Sequence, residues 1–268
     1  MDTENTMRIT QTMATIAELM GFSVTEQADV ANETVLQAAK EKFSEQKVQK
    51  ALLYNPDAIA LWLYQKYTHE FAPVIAQSQM ALPVRSVMPS VTPVCFASMY
   101  TGLVPAEHGI QAYVKPVLTV ETLFDAALRA DLRPVIISTE GDSITKIFLE
   151  REMDYIVCQS AEECNEQAKR VLQEEDYDLI VVYNGNFDAT MHRNGPEAEA
   201  SLEALRHNSR SYAELTRLAR QVWKGKRSMT AYLPDHGCHE IDGDLGSHGL
   251  DMAEDMNIIH FYAFWGEE

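Results

Sequence analysis

The chain has 268 residues, is 46% hydrophobic, and sets 22 Lys and Arg against 40 Asp and Glu for a formal charge of −18. That size supports a full core in one large domain, and that charge excludes non-specific binding to nucleic-acid polymers or anionic membranes. Four cysteines without a CxxC pair, no leader-like N-terminus and no run of 18 apolar residues lead to the expectation of a reduced, cytoplasmic protein with no membrane segment.

In chain order, Ile9, Met13, Ile16 and Met20 are spaced as the stripe of an amphipathic helix, with Gly21 as its stop. A second helix is expected from near Thr25 to about Phe43. Residues 1–45 therefore read as an N-terminal helical appendage, a candidate homodimer contact, and 46–268 as the main domain. From Val48 onward short apolar runs alternate with helical stretches. The expected strands are VQKALLYN (48–55), RPVIIST (133–139), MDYIVC (153–158), YDLIVVYN (177–184), SMTAYLP (228–234) and NIIHFYAFW (257–265). Helical segments such as VETLFDAALRAD and AEECNEQAKRVLQEE lie between them. Unbroken Val/Ile-rich strands alternating with helices define an α/β fold: a mainly parallel sheet with helices on both faces.

In such sheets ligands bind beyond the carboxyl ends of the strands, and there the polar residues of this chain fall. Asp57 follows ALLYNP, Asp188 and His192 follow IVVYNGNF, and Asp235 and His236 follow AYLP. His248 sits in the glycine-flanked loop GDLGSHG, and six of the eight histidines lie after residue 190. One Asp-His pair alone reads as a cap or a surface turn. Three strand ends and a glycine loop that all supply Asp and His point to a metal centre, because these donors suit zinc, manganese or iron.

These segments, in this order, resemble the alkaline phosphatase superfamily, and within it the type I phosphodiesterase/nucleotide pyrophosphatase branch. The resemblance spans about residues 48 to 265. It rests on Asp57 in YNPDA, Thr92 in SVTPVCFASMYTGLVPAEHGI, DATMHRNGP from Asp188 to Pro196, PDHG at 234–237 and GSHG at 246–249. It implies two divalent cations, usually zinc. One would be held by Asp57, Asp235, His236 and the Thr92 hydroxyl, and the other by Asp188, His192 and His248. It further implies that Thr92 is a nucleophile toward phosphorus, activated because metal coordination stabilises the alkoxide of a hydroxyl that is otherwise unreactive near neutral pH. The competing reading of Thr92 is a helix N-cap with Pro93 at the first helical position; a helix start also favours a bound phosphoryl group, so the two are compatible.

The branch carries an asparagine where this chain has Cys95, so a substrate-binding role transfers to Cys95 by position only; a thiol is a weak donor. The cysteine signature of sulfatases is absent. Cys238 and His260 are expected to pack in the core, His108 to hold its own loop, His207 to lie on the surface, and Asp255 to orient His248 or cap a helix. With little room for a cap insertion between Ser143 and Asp176, the site should be open. The resulting expectation is a metal-dependent hydrolase of small phosphoric esters, of phosphodiesterase or nucleotide pyrophosphatase type. A phosphomonoesterase, phosphonate hydrolase, phosphomutase or non-catalytic relative are the alternatives.

Overall fold

The computed structural model describes residues 7–266. The ten strands are β1 (Met7–Arg8), β2 (Lys50–Pro56), β3 (Met80–Arg85), β4 (Pro134–Thr139), β5 (Asp154–Cys158), β6 (Leu179–Asn184), β7 (Ser228–Tyr232), β8 (His239–Ile241), β9 (Leu245–Ser247) and β10 (Asn257–Trp265). Eight of them form one sheet in the order β1-β3-β10-β7-β2-β6-β4-β5, and β8 and β9 form a separate hairpin. Only β10 runs against its neighbours in the large sheet, pairing antiparallel with β3 and β7. The other pairings are parallel, so the expected mainly parallel α/β architecture is present.

Alternation along each central strand divides the core between the two faces. Ala51 and Leu53 of β2, with Leu179, Val181 and Tyr183 of β6, face one apolar cluster, which also contains residues of the helices Gln11–Met20, Thr92–Thr101 and Leu123–Arg129. Leu52 and Tyr54, with Ile180 and Val182, face the other, built with the helices Ala161–Glu174 and Glu199–Val222. Both faces are covered, and for that reason the strand sequences are apolar runs rather than alternating ones.

The six expected strands are all present. β3 was not expected, because Pro83 inside MALPVR argues against a strand and half of the segment is exposed. Its neighbour β10 carries the ladder on that side. The second N-terminal helix starts only at Glu33, behind Asn32, whose side chain accepts from the N–H groups of Thr34 and Val35. The helix Gln11–Met20 ends at Gly21 as expected, in a left-handed cap. In place of an appendage, residues 7–43 supply an edge strand paired with β3 and helices whose Met13, Ile16 and Val35 are fully buried in the same core.

Strands β7, β2 and β6 lie side by side and parallel, so the residues after them emerge together at one edge of the sheet. β3 ends at the same edge and feeds the helix Thr92–Thr101. The chain between β7 and the oppositely directed β10 crosses this edge as well, carrying residues 239–256 over it. Topology thus delivers Asp57, Thr92, Asp188, Asp235 and His248 to one place.

Candidate metal centre

Asp57 is the first residue beyond β2 and is 1% exposed; Asp235 and His236, three and four residues beyond β7, are fully buried. His236 Nε2 lies 3.3 Å from Asp57 Oδ1 and 3.4 Å from Asp235 Oδ2. Asp188 and His192 sit four apart on the helix Asn186–Asn194, one turn, so both face the same way. His192 Nε2 and His248 Nε2 lie 3.3 and 3.4 Å from Asp188 Oδ1 and 3.1 Å from each other. Each set of three presents ligand atoms within 4.8 Å of one another. The rings of His236 and His248 stack 4.1 Å apart, which joins the two sets into one centre.

Thr92 ties the first set to the helix it begins. Val91 is the N-cap and Thr92 the first helical residue, so the helix begins one residue earlier than the cap reading expects. Its hydroxyl lies 3.3 Å from Asp57 Oδ2 and 3.3 Å from His236 Nε2, two acceptors around a single proton.

The donor set fits divalent cations on two independent grounds. Asp57 Oδ1, Asp188 Oδ1 and Asp235 Oδ2 are buried carboxylate oxygens with no hydrogen-bond partner, and each is the oxygen that faces the imidazoles. A buried anion left unpaired costs several kcal/mol. The second ground is the tautomers. His192 Nδ1 meets the carbonyl of Gly246, His236 Nδ1 that of Gly237 and His248 Nδ1 that of Ser90, each at 2.9 Å. A carbonyl only accepts, so each Nδ1 carries the proton and each neutral ring turns a bare Nε2 inward. Two such lone pairs 3.1 Å apart beside an orphaned carboxylate need a cation or an added proton between them. The backbone bonds that fix the rings are the supports metal-bound histidines commonly have.

The electrostatics of the two sets are opposite. Burial pushes the Asp57 carboxyl up to about 7, assisted by the charge of Asp188 and opposed by the hydrogen bond from Tyr183. Burial and Asp57 push Asp235 well above the carboxylate range, and burial, with His248, lowers His236 to about 3. In the second set burial raises Asp188, but His192 and His248, which donate to it from Nε2 once an added proton charges them, outweigh burial and hold the carboxyl below its usual range. His192 rises to about 9 through its hydrogen bond to Asp188. His248 also rises, its contact with Asp188 outweighing burial.

Two glycines permit the close approach this geometry needs. A Cβ at Gly237 would lie 2.0 Å from the Glu254 carbonyl oxygen, and one at Gly246 would lie 2.6 Å from that of Met191, so the loop that carries His248 presses directly on the ligand helix.

The seven residues expected at the metals are thus brought together, and Cys95 is not among them. Cys95 is fully buried, its thiol accepting from the Ser86 hydroxyl at 3.2 Å. Lys115 donates to the Gly141 carbonyl. His108 holds its own loop through Ser98 and Ile110, and His260 is buried against the Pro234 carbonyl. His207 is half-buried, beside Asn165. Asp255 does not touch His248; it accepts from His239 and from the N–H of Leu250, two residues after His248. Sequence reasoning missed Tyr183, whose hydroxyl donates to Asp57 Oδ2. It also missed Tyr113, an exposed ring close enough to Asp57 and Asp188 for both to raise its phenol, after burial. The sequence signal for Tyr183 was a phenol one residue before the end of an apolar strand.

Residues 54–140 match the family model of type I phosphodiesterase / nucleotide pyrophosphatase, a segment that holds Asp57 and Thr92. No curated protein sequence matches the chain. Among solved structures, an inactive variant of murine ectonucleotide pyrophosphatase / phosphodiesterase 5 in complex with AMP is similar with a TM-score of 0.62 at 14% identity, over 81% of this chain and 88% of that one. Phosphonoacetate hydrolase from Sinorhizobium meliloti in complex with phosphonoformate gives 0.54 at 18%, over 73% and 59%. The C-terminal periplasmic domain of EcEptC from Escherichia coli gives 0.55 at 12%, over 92% and 77%. The chain shares the fold of these structures, and its residues 54–140, which carry Asp57 and Thr92, match the type I phosphodiesterase / nucleotide pyrophosphatase model.

Proposed function

We propose that the protein is a metal-dependent hydrolase of small phosphoric esters, of phosphodiesterase or nucleotide pyrophosphatase type, with Thr92 as its nucleophile. The observation that carries this reading is the position of the Thr92 hydroxyl, within 3.3 Å of both Asp57 and His236 in a cluster of orphaned carboxylates.

Asp57, Asp235 and His236, with Thr92, would hold one divalent cation, and Asp188, His192 and His248 the other; Asp/His donors suit zinc, with manganese or iron as substitutes. Cations bound there would supply Lewis acidity that lowers the pKa of the hydroxyl and offsets charge on phosphoryl oxygens. The chain's own residues do the rest. The helix Thr92–Thr101 fixes the hydroxyl at its first turn, where the N-terminal end favours an anion. Thr92 Oγ1 attacks phosphorus, its proton leaves toward an acceptor beside it, and the ester oxygen departs, giving a phosphothreonine that water then cleaves. Asp57 is held in orientation by Tyr183, and the three imidazoles by backbone carbonyls.

Among the described residues no Lys or Arg side chain hydrogen-bonds to a member of the cluster, which supports singly charged diesters over dianionic monoesters. The AMP seen with the murine relative and the phosphonoformate seen with the bacterial hydrolase support small phosphorus-containing ligands. Among the described residues no helix is long and apolar enough to cross a membrane, and four free, buried cysteines support a reducing compartment, the cytoplasm.

Metal-loaded protein should cleave bis-p-nitrophenyl phosphate faster than p-nitrophenyl phosphate. Thr92→Ala should lose on the order of 10³-fold or more in turnover while keeping its bound metal. Unchanged turnover in Thr92→Ala removes the nucleophile assignment, and a faster monoester reaction reverses the substrate order.

A further inference from the structure

At the opposite end of the sheet, where β7 begins and β10 ends, a cleft of about 420 Å³ is lined by Lys42, Arg217, Arg220, Lys224 and Lys226, with Trp265 among its walls. The five cations come from three separate stretches: the helix Glu33–Phe43, the helix Glu199–Val222 and the loop that enters β7. Among the described residues no Asp or Glu lines the cleft.

In a chain with nearly two acids per base this grouping is not an average surface. Several cations elsewhere are neutralised inside the molecule: Arg206 meets Glu70, Glu199 and Glu203, Lys50 meets Asp176 and Asp178, and Arg151 meets Asp125. None of the five cleft cations forms an ion pair with a described carboxylate. Arg220 instead sits over the Trp265 ring, its guanidinium carbon 3.9 Å from the centroid, a cation–π contact that uses none of its N–H donors. The ring is itself pinned, its N–H donating to Thr230.

We infer that this cleft is a second ligand site, separate from the metal centre, which binds a phosphorylated small molecule carrying three or more negative charges. Concave walls concentrate the field of neighbouring cations. Arginine offers two-pronged donors to phosphate oxygens and lysine a compact point charge, the combination that polyphosphate recognition uses.

The test is calorimetric titration of the full, metal-loaded chain with inorganic tripolyphosphate, presented with excess magnesium so that the protein's own cations are not stripped. Tryptophan emission is followed in parallel, because Trp223 and Trp265, two of the three tryptophans, line the cleft. The expected result is saturable binding near one equivalent with a change in emission, weakened about tenfold or more in Lys224→Ser/Lys226→Ser and again by high salt. Both lysines are exposed, so the variant should fold; Arg217→Ser, also exposed, is the second. His192→Ala, at the metal centre, should bind tripolyphosphate as before. Turnover of bis-p-nitrophenyl phosphate should be unchanged in the cleft variants. Absence of saturable binding at low salt, affinity unchanged from the unaltered protein in both cleft variants, or loss of binding in His192→Ala alone would each overturn the inference.

Discussion

The two halves of the candidate metal centre use the same donor types and solve opposite problems. Asp57, Asp235 and His236 are sealed from solvent, whereas the His192 side chain is 41% exposed beside Asp188 and His248. Burial in the first half favours neutral groups, so its two carboxyls gain affinity for protons and its imidazole loses it. In the open half the carboxylate stays charged and draws protons onto the histidines. A cation entering the buried half would therefore displace protons from carboxyls, and one entering the open half would displace them from imidazoles. Environment, and not ligand identity, sets which atoms compete with the metal.

The sharpest way to break this comparison is to delete one imidazole from each half. His236→Ala opens a sealed void that outside molecules cannot fill, and His192→Ala opens a gap at the surface. Elemental analysis should find about one cation lost in each. Added imidazole should restore activity to His192→Ala and fail to restore it to His236→Ala. Equal rescue of both would mean that the buried half is accessible to solvent molecules.

Next in size is the pH dependence of metal binding. With His192 at about 9 and Asp57 at about 7, both halves bind cations better as pH rises, over different ranges. Affinity of the buried half should climb through about pH 7, where Asp57 gives up its proton, and that of the open half through about pH 9, by up to about tenfold per pH unit for each proton released. Calorimetry in buffers of different ionisation enthalpy counts those protons. A single common range for both cations would refute the distinction.

Stability gives a smaller effect of defined sign. In metal-stripped protein Asp57 rises from 3.8 to about 7. The folded state then holds that proton more tightly than the unfolded chain, a contribution fully present below about pH 4 and lost as pH rises through about 7. His260, lowered by burial from 6.5 to about 4, acts the other way: its contribution is present above about 6.5 and is lost as pH falls through about 4. Metals cancel the first and leave the second. The gap in Tm between metal-loaded and chelator-treated protein should therefore widen from about pH 5 to about pH 7.

How much of this was legible in the sequence depends on distance along the chain. Each carboxylate ligand lies within a few residues of the end of an apolar run, and such runs announce buried parallel strands, so Asp57, Asp188 and Asp235 could be read as neighbours before any coordinates. β3 could not, because Pro83 argues against a strand and its pairing is supplied by β10, more than 170 residues later. The hairpin of β8 and β9 was hidden by three-residue strands. The residues that orient the ligands were equally hidden. Ser90, Gly237 and Gly246 act through carbonyl groups that every residue has, and only the fold selects them. Cys95 shows the opposite error: its place in the motif suggested contact with substrate, and its depth in the core turned it toward Ser86.

Tyr183 offers the finest test of what distinguishes the halves. Its buried hydroxyl donates to Asp57 Oδ2, and burial together with the charges of Asp57 and Asp142 keeps its own proton in place well beyond the ordinary range of a phenol. It can therefore only donate, and by donating it opposes the protonation of Asp57. Tyr183→Phe keeps the ring, which packs edge-on against Phe96 at 5.6 Å, and removes that opposition. The carboxyl should then hold its proton to higher pH, and the buried half should lose about tenfold in metal affinity near neutral pH while the open half keeps its own. Loss of one buried hydrogen bond should cost about 1 kcal/mol in stability, and turnover at saturating metal should stay near that of the unaltered protein. If only the stability falls and both affinities hold, the phenol is a packing group, and burial alone accounts for the proton affinity of Asp57.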